Sequence, residues 1–266
     1  MNECAPIINR FQTISLESLD SLKNDVKLMD RHDTKYVMPR NKLANLLELL
    51  LTDYQLLTVE NKKVFTYKNL YFDTPDFTFY HQHHNQKCNR YKMRARQYVE
   101  SALNFWEVKF KSNKGKTIKK RVKQKEFTTE ITQEINDKTQ VFLNKTSSMT
   151  IDDVEPKLWI TFTRLTLASL ERKERLTFDV DITYTNIKDE QICLSDIAIA
   201  ELKQPSLSLR SPFAQISKKE RIYPRKFSKY CTGVSLLHDV TKKGRFKRRL
   251  MYLDKISGGH TCFSKT

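Results

Sequence analysis

Residues two apart on an extended strand point to the same face, and this sequence repeatedly places charge at that spacing. Arg31, Asp33 and Lys35 alternate, as do Arg94 and Arg96. Glu107, Lys109 and Lys111 alternate opposite Trp106, Val108 and Phe110, and Lys119 and Arg121 continue the pattern. The longest run is Glu171, Lys173, Arg175, Thr177, Asp179 and Asp181, opposite Leu176, Phe178, Val180 and Ile182. Glu201 and Lys203 form one more pair, flanked by Ala200 and Leu202. Rows of Arg and Lys with a few carboxylates suit a polyanion and metal ions.

The plain alternative for any one strand is a sheet with one face in the core and one in water. The set argues otherwise. Basic residues outnumber acidic ones on these faces, and the opposite faces are bulky and apolar. Some layer, such as helices, must cover the apolar side. The charged faces then line the inside of a closed antiparallel β-barrel. Unpaired buried charge is very costly, so such an interior needs a ligand or solvent.

The elements that position these rows are legible in outline. Strand-like segments run over 64–73, 89–99, 104–112, 116–124, 157–169, 171–183 and 192–203. Apolar spacing in Ile14–Val26 suggests a short helix. Pro39 opens a helix over 40–51, 137–145 reads as helical, and 212–238 reads as helical with a break at Pro224. The fold class expected is α+β, with helices packed outside the barrel.

The chain has 266 residues and a net charge of +17. The six basic residues of Lys242–Arg249 account for part of this, leaving +11 elsewhere. That excess predicts an anionic partner: nucleic acid, acidic lipid or phosphate chains. The five Cys are scattered without a CxxC, which predicts a reducing, cytoplasmic compartment and no disulfide framework or structural zinc. No apolar run of membrane-spanning length occurs, and the N-terminus lacks the pattern of a signal peptide. Residues 1–240 read as one domain and 241–266 as a mobile basic extension. That extension is expected to bring the protein to an anionic surface, and its removal to abolish binding to acidic vesicles.

The charged rows fall within pieces that together resemble the VTC domain. This is the polyphosphate polymerase domain of vacuolar transporter chaperone proteins, within the CYTH-like triphosphate tunnel metalloenzymes. The pieces are RHDTKY (31–36), LYFDT (70–74), YKMRARQY (91–98), FWEVKFK (105–111), FTRLTL (162–167), ERLTFDVDITY (174–184), AIAELKQ (198–204) and SKYCTG (228–233). They occur in the family's order over residues 28–237. The resemblance implies a phosphate-binding and catalytic set of Lys35, Arg94, Arg96, Lys109, Arg164, Arg175 and Lys229. Arg121 is a further phosphate ligand, with Lys120 beside it as the alternative. Arg suits bidentate phosphate contacts and Lys acts as a point charge. Glu201 matches the family's principal metal ligand, assisted by Glu107 and Asp179, for Mn²⁺ or Mg²⁺.

The wider superfamily often begins with an ExExK strand, whereas here Arg31 and Asp33 stand at the glutamate positions. The loss of one carboxylate favours the polymerase-like branch. The function implied is metal-dependent transfer of the terminal phosphate of ATP to a growing polyphosphate chain. A triphosphatase on the same fold and a non-catalytic polyphosphate-binding module are the rivals. Sequence-specific nucleic-acid binding is not expected, because aromatic stacking motifs of RRM-type readers are missing. His81, His83 and His84 lack common zinc spacing and are expected in a solvated loop or helix cap. Trp106 and Trp159 are expected in the core or the barrel wall.

Overall fold

The computed structural model describes residues 1–17, 32–144 and 150–259. Among them, eleven strands form one sheet. Its main path runs β2 (His32–Pro39), β11 (Ile197–Gln204), β9 (Glu174–Asn186), β8 (Glu155–Ser169), β4 (Val64–Asp73), β5 (Arg90–Tyr98), β6 (Leu103–Lys111) and β7 (Thr117–Gln124). Every neighbour on this path is antiparallel. Beside it, β1 (Thr13–Ser15) pairs parallel with β3 (Gln55–Thr58), β3 also joins β8, and β10 (Gln191–Leu194) joins β9. Ile14 therefore lies in a strand, Leu16 and Glu17 begin a helix, and the rest of the expected 14–26 helix falls in residues 18–31, which with Arg31 lie outside the described residues.

The helices are α1 (Ala5–Ile8), α2 (Leu43–Leu49), α3 (Thr78–His84), α4 (Gln133–Asn144), α5 (Pro212–Lys219), α6 (Lys229–Leu237) and α7 (Gly244–Ile256). Two outer layers cover the apolar side of the sheet. Leu43, Leu46 and Leu47 of α2 and Phe213 of α5 pack on Met38, Leu176, Phe178 and Leu202. Ile135 and Leu143 of α4 pack on Met93, Trp106, Val108 and Val122. Each such residue contributes about 1.5–3 kcal/mol by leaving water.

The expected closed barrel is corrected: among the described residues, no ladder joins edge strands β2 and β7. The free edge of β2 is sealed another way. Arg225 N donates to Lys35 O at 2.7 Å, Pro224 bridges Tyr36, and the Tyr252 hydroxyl donates to Val37 O at 3.0 Å. Backbone groups satisfied by that segment have no call for a partner strand. The sheet nevertheless curls deeply. Lys35 on β2 donates to Phe227 O at 3.2 Å, and Lys92 on β5 donates to the neighbouring Ser228 Oγ at 2.9 Å. Five strand spacings separate β2 from β5, about 24 Å in a flat sheet. The result is a trough with an open seam.

The helices are not all outside. Tyr230, Cys231 and Val234 of α6 pack against Leu158, Ile160, Phe162 and Ile199 on the concave side, so α6 plugs one end of the trough. Gly233 makes that fit possible, because an added Cβ would stand 2.5 Å from Tyr184 Cδ1 and 2.6 Å from Leu158 Cδ2. Gly233→Ala is expected to destabilise the protein by about 1–3 kcal/mol through overpacking, read as a lower urea midpoint at unchanged slope. Residues 244–256 of the basic extension form α7, with Phe246, Leu250 and Leu253 buried in the same cluster, while 260–266 lie outside the described residues.

A bulge sets which β9 residues reach the trough. The β8–β9 register shifts between Thr161 and Thr163, and Asp181 takes φ 52°, a left-handed conformation that Asp tolerates. Val180 stays in the outer cluster, while Ile182 and Tyr184 turn to the concave side. The charged alternation therefore ends at Asp179. Asp181 instead pairs with Arg40. At the other end, Glu171 and Lys173 fall in the turn before β9.

Candidate phosphate-binding site

Cross-strand register brings the charged rows together on the concave wall. Lys35 stands opposite Glu201, and Glu201 opposite Thr177. Asp179 stands opposite Arg164. Asn69 faces Arg96, Tyr71 faces Arg94, Arg94 faces Glu107, and Lys92 faces Lys109. Glu107 in turn faces Arg121, and Lys109 faces Lys119. Lys120 pairs with Val108 on the other face, so Arg121 is the residue on the trough side.

Two carboxylates anchor the cations. Asp179, 1% exposed, receives Arg164 Nε at 2.6 Å and Nη2 at 2.8 Å, and also the Lys229 ammonium. Glu107 receives Arg94 Nε at 2.7 Å and Arg121 Nε at 3.1 Å. Arg94 also donates to the Tyr71 hydroxyl at 2.9 Å, and Arg96 Nε donates to Asn69 Oδ1 at 2.7 Å. Aromatic faces hold the guanidiniums flat: Arg96 lies 5.2 Å from the Tyr67 ring, Arg164 4.8 Å from the same ring, and Arg121 3.8 Å from Phe105. Cation–π contact of this kind orients Arg without consuming its donors.

The field inside is strongly positive. Burial opposes the Asp179 charge, but Arg164 and Lys229 outweigh it and hold the carboxyl down at about 2. Burial likewise opposes Glu107, and Arg94 and Arg96 bring it to about 2. Glu201 follows the same pattern: Lys35, Lys203 and Arg164 overcome its burial and hold it well below the usual carboxylate range. Even the buried Tyr71 hydroxyl is shifted down, because Arg94, Arg96 and Lys92 outweigh its burial. Lys92 is shifted down by burial, with Lys35 and Arg90 adding to it. Lys109 is shifted down by its enclosure and by Lys92, Lys119 and Lys35. Its side chain is open to solvent at the seam, which weakens the contribution of enclosure. The direction therefore rests on the three like charges.

Of the expected phosphate set, Lys35, Arg94, Arg96, Lys109, Arg121, Arg164 and Lys229 share the trough. Arg175 lies at the end of its row, opposite Lys203, whose charge it disfavours. Lys92 was missed by sequence reasoning, although stepping back two residues from Arg94 reaches it. Lys203 was read only as part of an alternating pair, yet it donates to Glu201 and lies 3.6 Å from Asp33. Asn69 and Tyr71, which orient the two arginines, carry no charge signal.

The expected metal set is not gathered. Among the described residues no group of three His, Cys, Asp or Glu side chains clusters. Asp179 and Glu107 are each committed to two cations, whereas Glu201 is engaged by Lys203 through Oε1. Glu201 fits a hard divalent ion as a single carboxylate, in the manner of Mg²⁺ sites completed by phosphate oxygens and water.

No protein of curated description matches the sequence. Among solved structures, a Hippeastrum protein, a candidate adenylyl cyclase with a dominant triphosphatase activity, is similar with a TM-score of 0.50 and 14% identity, covering 78% of this chain and 96% of that one. A candidate adenylate cyclase from Vibrio parahaemolyticus has a TM-score of 0.44 and 12% identity, over 78% of this chain and 98% of that one. The family model of the VTC domain matches residues 30–238, which span the whole trough from β2 through α6. The chain belongs to the VTC domain family.

Proposed function

We propose that the trough is the active site of a metal-dependent polyphosphate polymerase that moves the terminal phosphoryl group of ATP onto a growing chain. The observation that carries this reading is the convergence of Arg94, Arg96, Arg164, Lys35 and Lys92 on the wall, with Lys229 of α6 facing them, beside Glu201. A phosphate chain repels itself, and aligned cations offset that repulsion. In the step, an oxygen of the chain's terminal phosphate attacks the γ-phosphorus. A new P–O bond forms as the bond to the β-phosphate oxygen breaks, and ADP leaves with that electron pair. Such transfer needs in-line positioning and charge stabilisation above all. Arg94 and Arg164, braced by Glu107 and Asp179, supply fixed guanidiniums, while Lys35 and Lys229 supply point charges. Glu201 would hold Mg²⁺ or Mn²⁺, which would supply neutralisation of the chain's own charge.

The same wall serves hydrolysis if water replaces the chain end as nucleophile. Incubation with ATP and Mn²⁺, with gel analysis for acid-stable polymer and chromatography for ADP, separates the readings. Polymer with ADP supports the polymerase. Orthophosphate without polymer assigns a triphosphatase. If neither product forms, competition between short polyphosphate and an oligonucleotide tests the non-catalytic binding module. Among the described residues no helix is long and apolar enough to cross a membrane.

A further inference from the structure

Beyond the trough, α7 carries a second group of cations that the family match does not reach, since that match ends at residue 238. Two cavities meet at Arg249. One, of about 250 Å³, is lined by Val37, Arg225, Phe227, Arg249 and Tyr252. The other, of about 340 Å³, is lined by His83, Arg245, Phe246, Arg248 and Arg249. Both adjoin the trough. Val37 follows Lys35 on the same face of β2, and Phe227 accepts from Lys35. His83 is driven down to about 2 by its burial and then by Lys92, Arg90, Arg249 and Lys35. That ring stacks on Phe246 of α7, with centroids 6.4 Å apart.

The cations here are held against aromatic rings with their donors available to phosphate oxygens. Arg225 stacks 3.5 Å from the Tyr252 ring and Arg249 5.0 Å from Phe246, contacts that fix the guanidiniums and leave their donors open. Among the described residues no carboxylate pairs with Arg225, Arg248 or Arg249. In the trough, by contrast, Arg94, Arg121 and Arg164 each have a carboxylate partner. The apolar edge of α7 is spent on the protein itself, through Phe246, Leu250 and Leu253. Its exposed side carries Arg245, Lys247, Arg248 and Lys255, with Met251 among them.

We propose that Arg225, Arg248 and Arg249 form a second phosphate-binding station, which holds the part of a polyphosphate chain that extends past the trough. The station rests on the trough reading above. It gives long chains more contacts than short ones: tripolyphosphate occupies the trough alone, whereas a chain of several dozen units engages both sites.

The test is equilibrium binding of tripolyphosphate and of long-chain polyphosphate to the full chain at fixed salt. The variants are Arg249→Ala and the exposed pair Arg225→Ala/Arg248→Ala. Lys218→Ala/Lys219→Ala, on α5, is the control for generic loss of charge. The arginine pair is expected to weaken long-chain binding roughly tenfold or more and to leave tripolyphosphate binding unchanged. The single Arg249 change should do the same, with circular dichroism confirming the fold. Equal losses in the lysine control overturn the station, as do unchanged long-chain affinities in both arginine variants. A wild-type protein that ignores tripolyphosphate overturns the trough reading and the station with it.

Discussion

Glu201→Gln is expected to slow phosphoryl transfer by about 10²–10³-fold, the scale of losing one preorganised electrostatic group, while the protein stays folded. The side chain sits between Lys35 and Lys203, and its charge is held by both and by Arg164. Gln keeps the shape and an oxygen for the Lys203 ammonium, so packing is preserved. What it loses is the anionic oxygen that a divalent cation requires. The Mn²⁺ concentration for half-maximal rate should rise as well, a change that a merely structural role does not produce. The checks are initial rates at saturating ATP, a Mn²⁺ titration and a thermal melt. An unchanged rate and metal dependence would remove Glu201 from the site.

Glu201 and its neighbours were legible because strand alternation is a local property. Arg94, Arg96, Glu107 and Arg121 could be assigned to one face from their spacing, and the register of β5, β6 and β7 keeps them together. What was not legible depends on contacts distant in sequence. The plug α6 reads as an ordinary helix, and only the approach of Gly233 to Tyr184 places it inside the trough. Closure of the barrel was inferred from the need to enclose charge. The β2 edge is instead capped by Pro224, Arg225 and Tyr252, residues some 190 to 215 positions away. The bulge at Asp181 breaks the alternation without a Gly or Pro to announce it. The histidines, expected in a solvated loop or helix cap, stand in the last turn of α3 against α7, where His84 is buried and accepts from Arg245 N in the first turn of α7. Trp106, expected in the core or wall, is 1% exposed.

Asp179 governs the other large effect, on stability. It is the buried counterion of both Arg164 and Lys229, so Asp179→Ala leaves two enclosed cations without a partner. A loss of about 3–5 kcal/mol is expected, as for breaking other buried pairs, read as a lower urea midpoint at pH 7. The sign with pH follows from the depressed carboxyl. Its folded pKa is about 2, below an unfolded value of about 4. The stability it contributes is therefore complete above pH 4 and is lost as pH falls through 2. The gap between wild type and Asp179→Asn should thus narrow across that window and stay constant from pH 5 to 8. A gap that does not change in acid would mean the carboxylate charge is not what holds the pair. Tripolyphosphate supplies a sharper contrast. With Asp179 gone, Arg164 and Lys229 are open to a phosphate oxygen, so saturating ligand should raise the midpoint of the variant more than that of the wild type. An equal rise in both proteins would separate these two cations from the phosphate path.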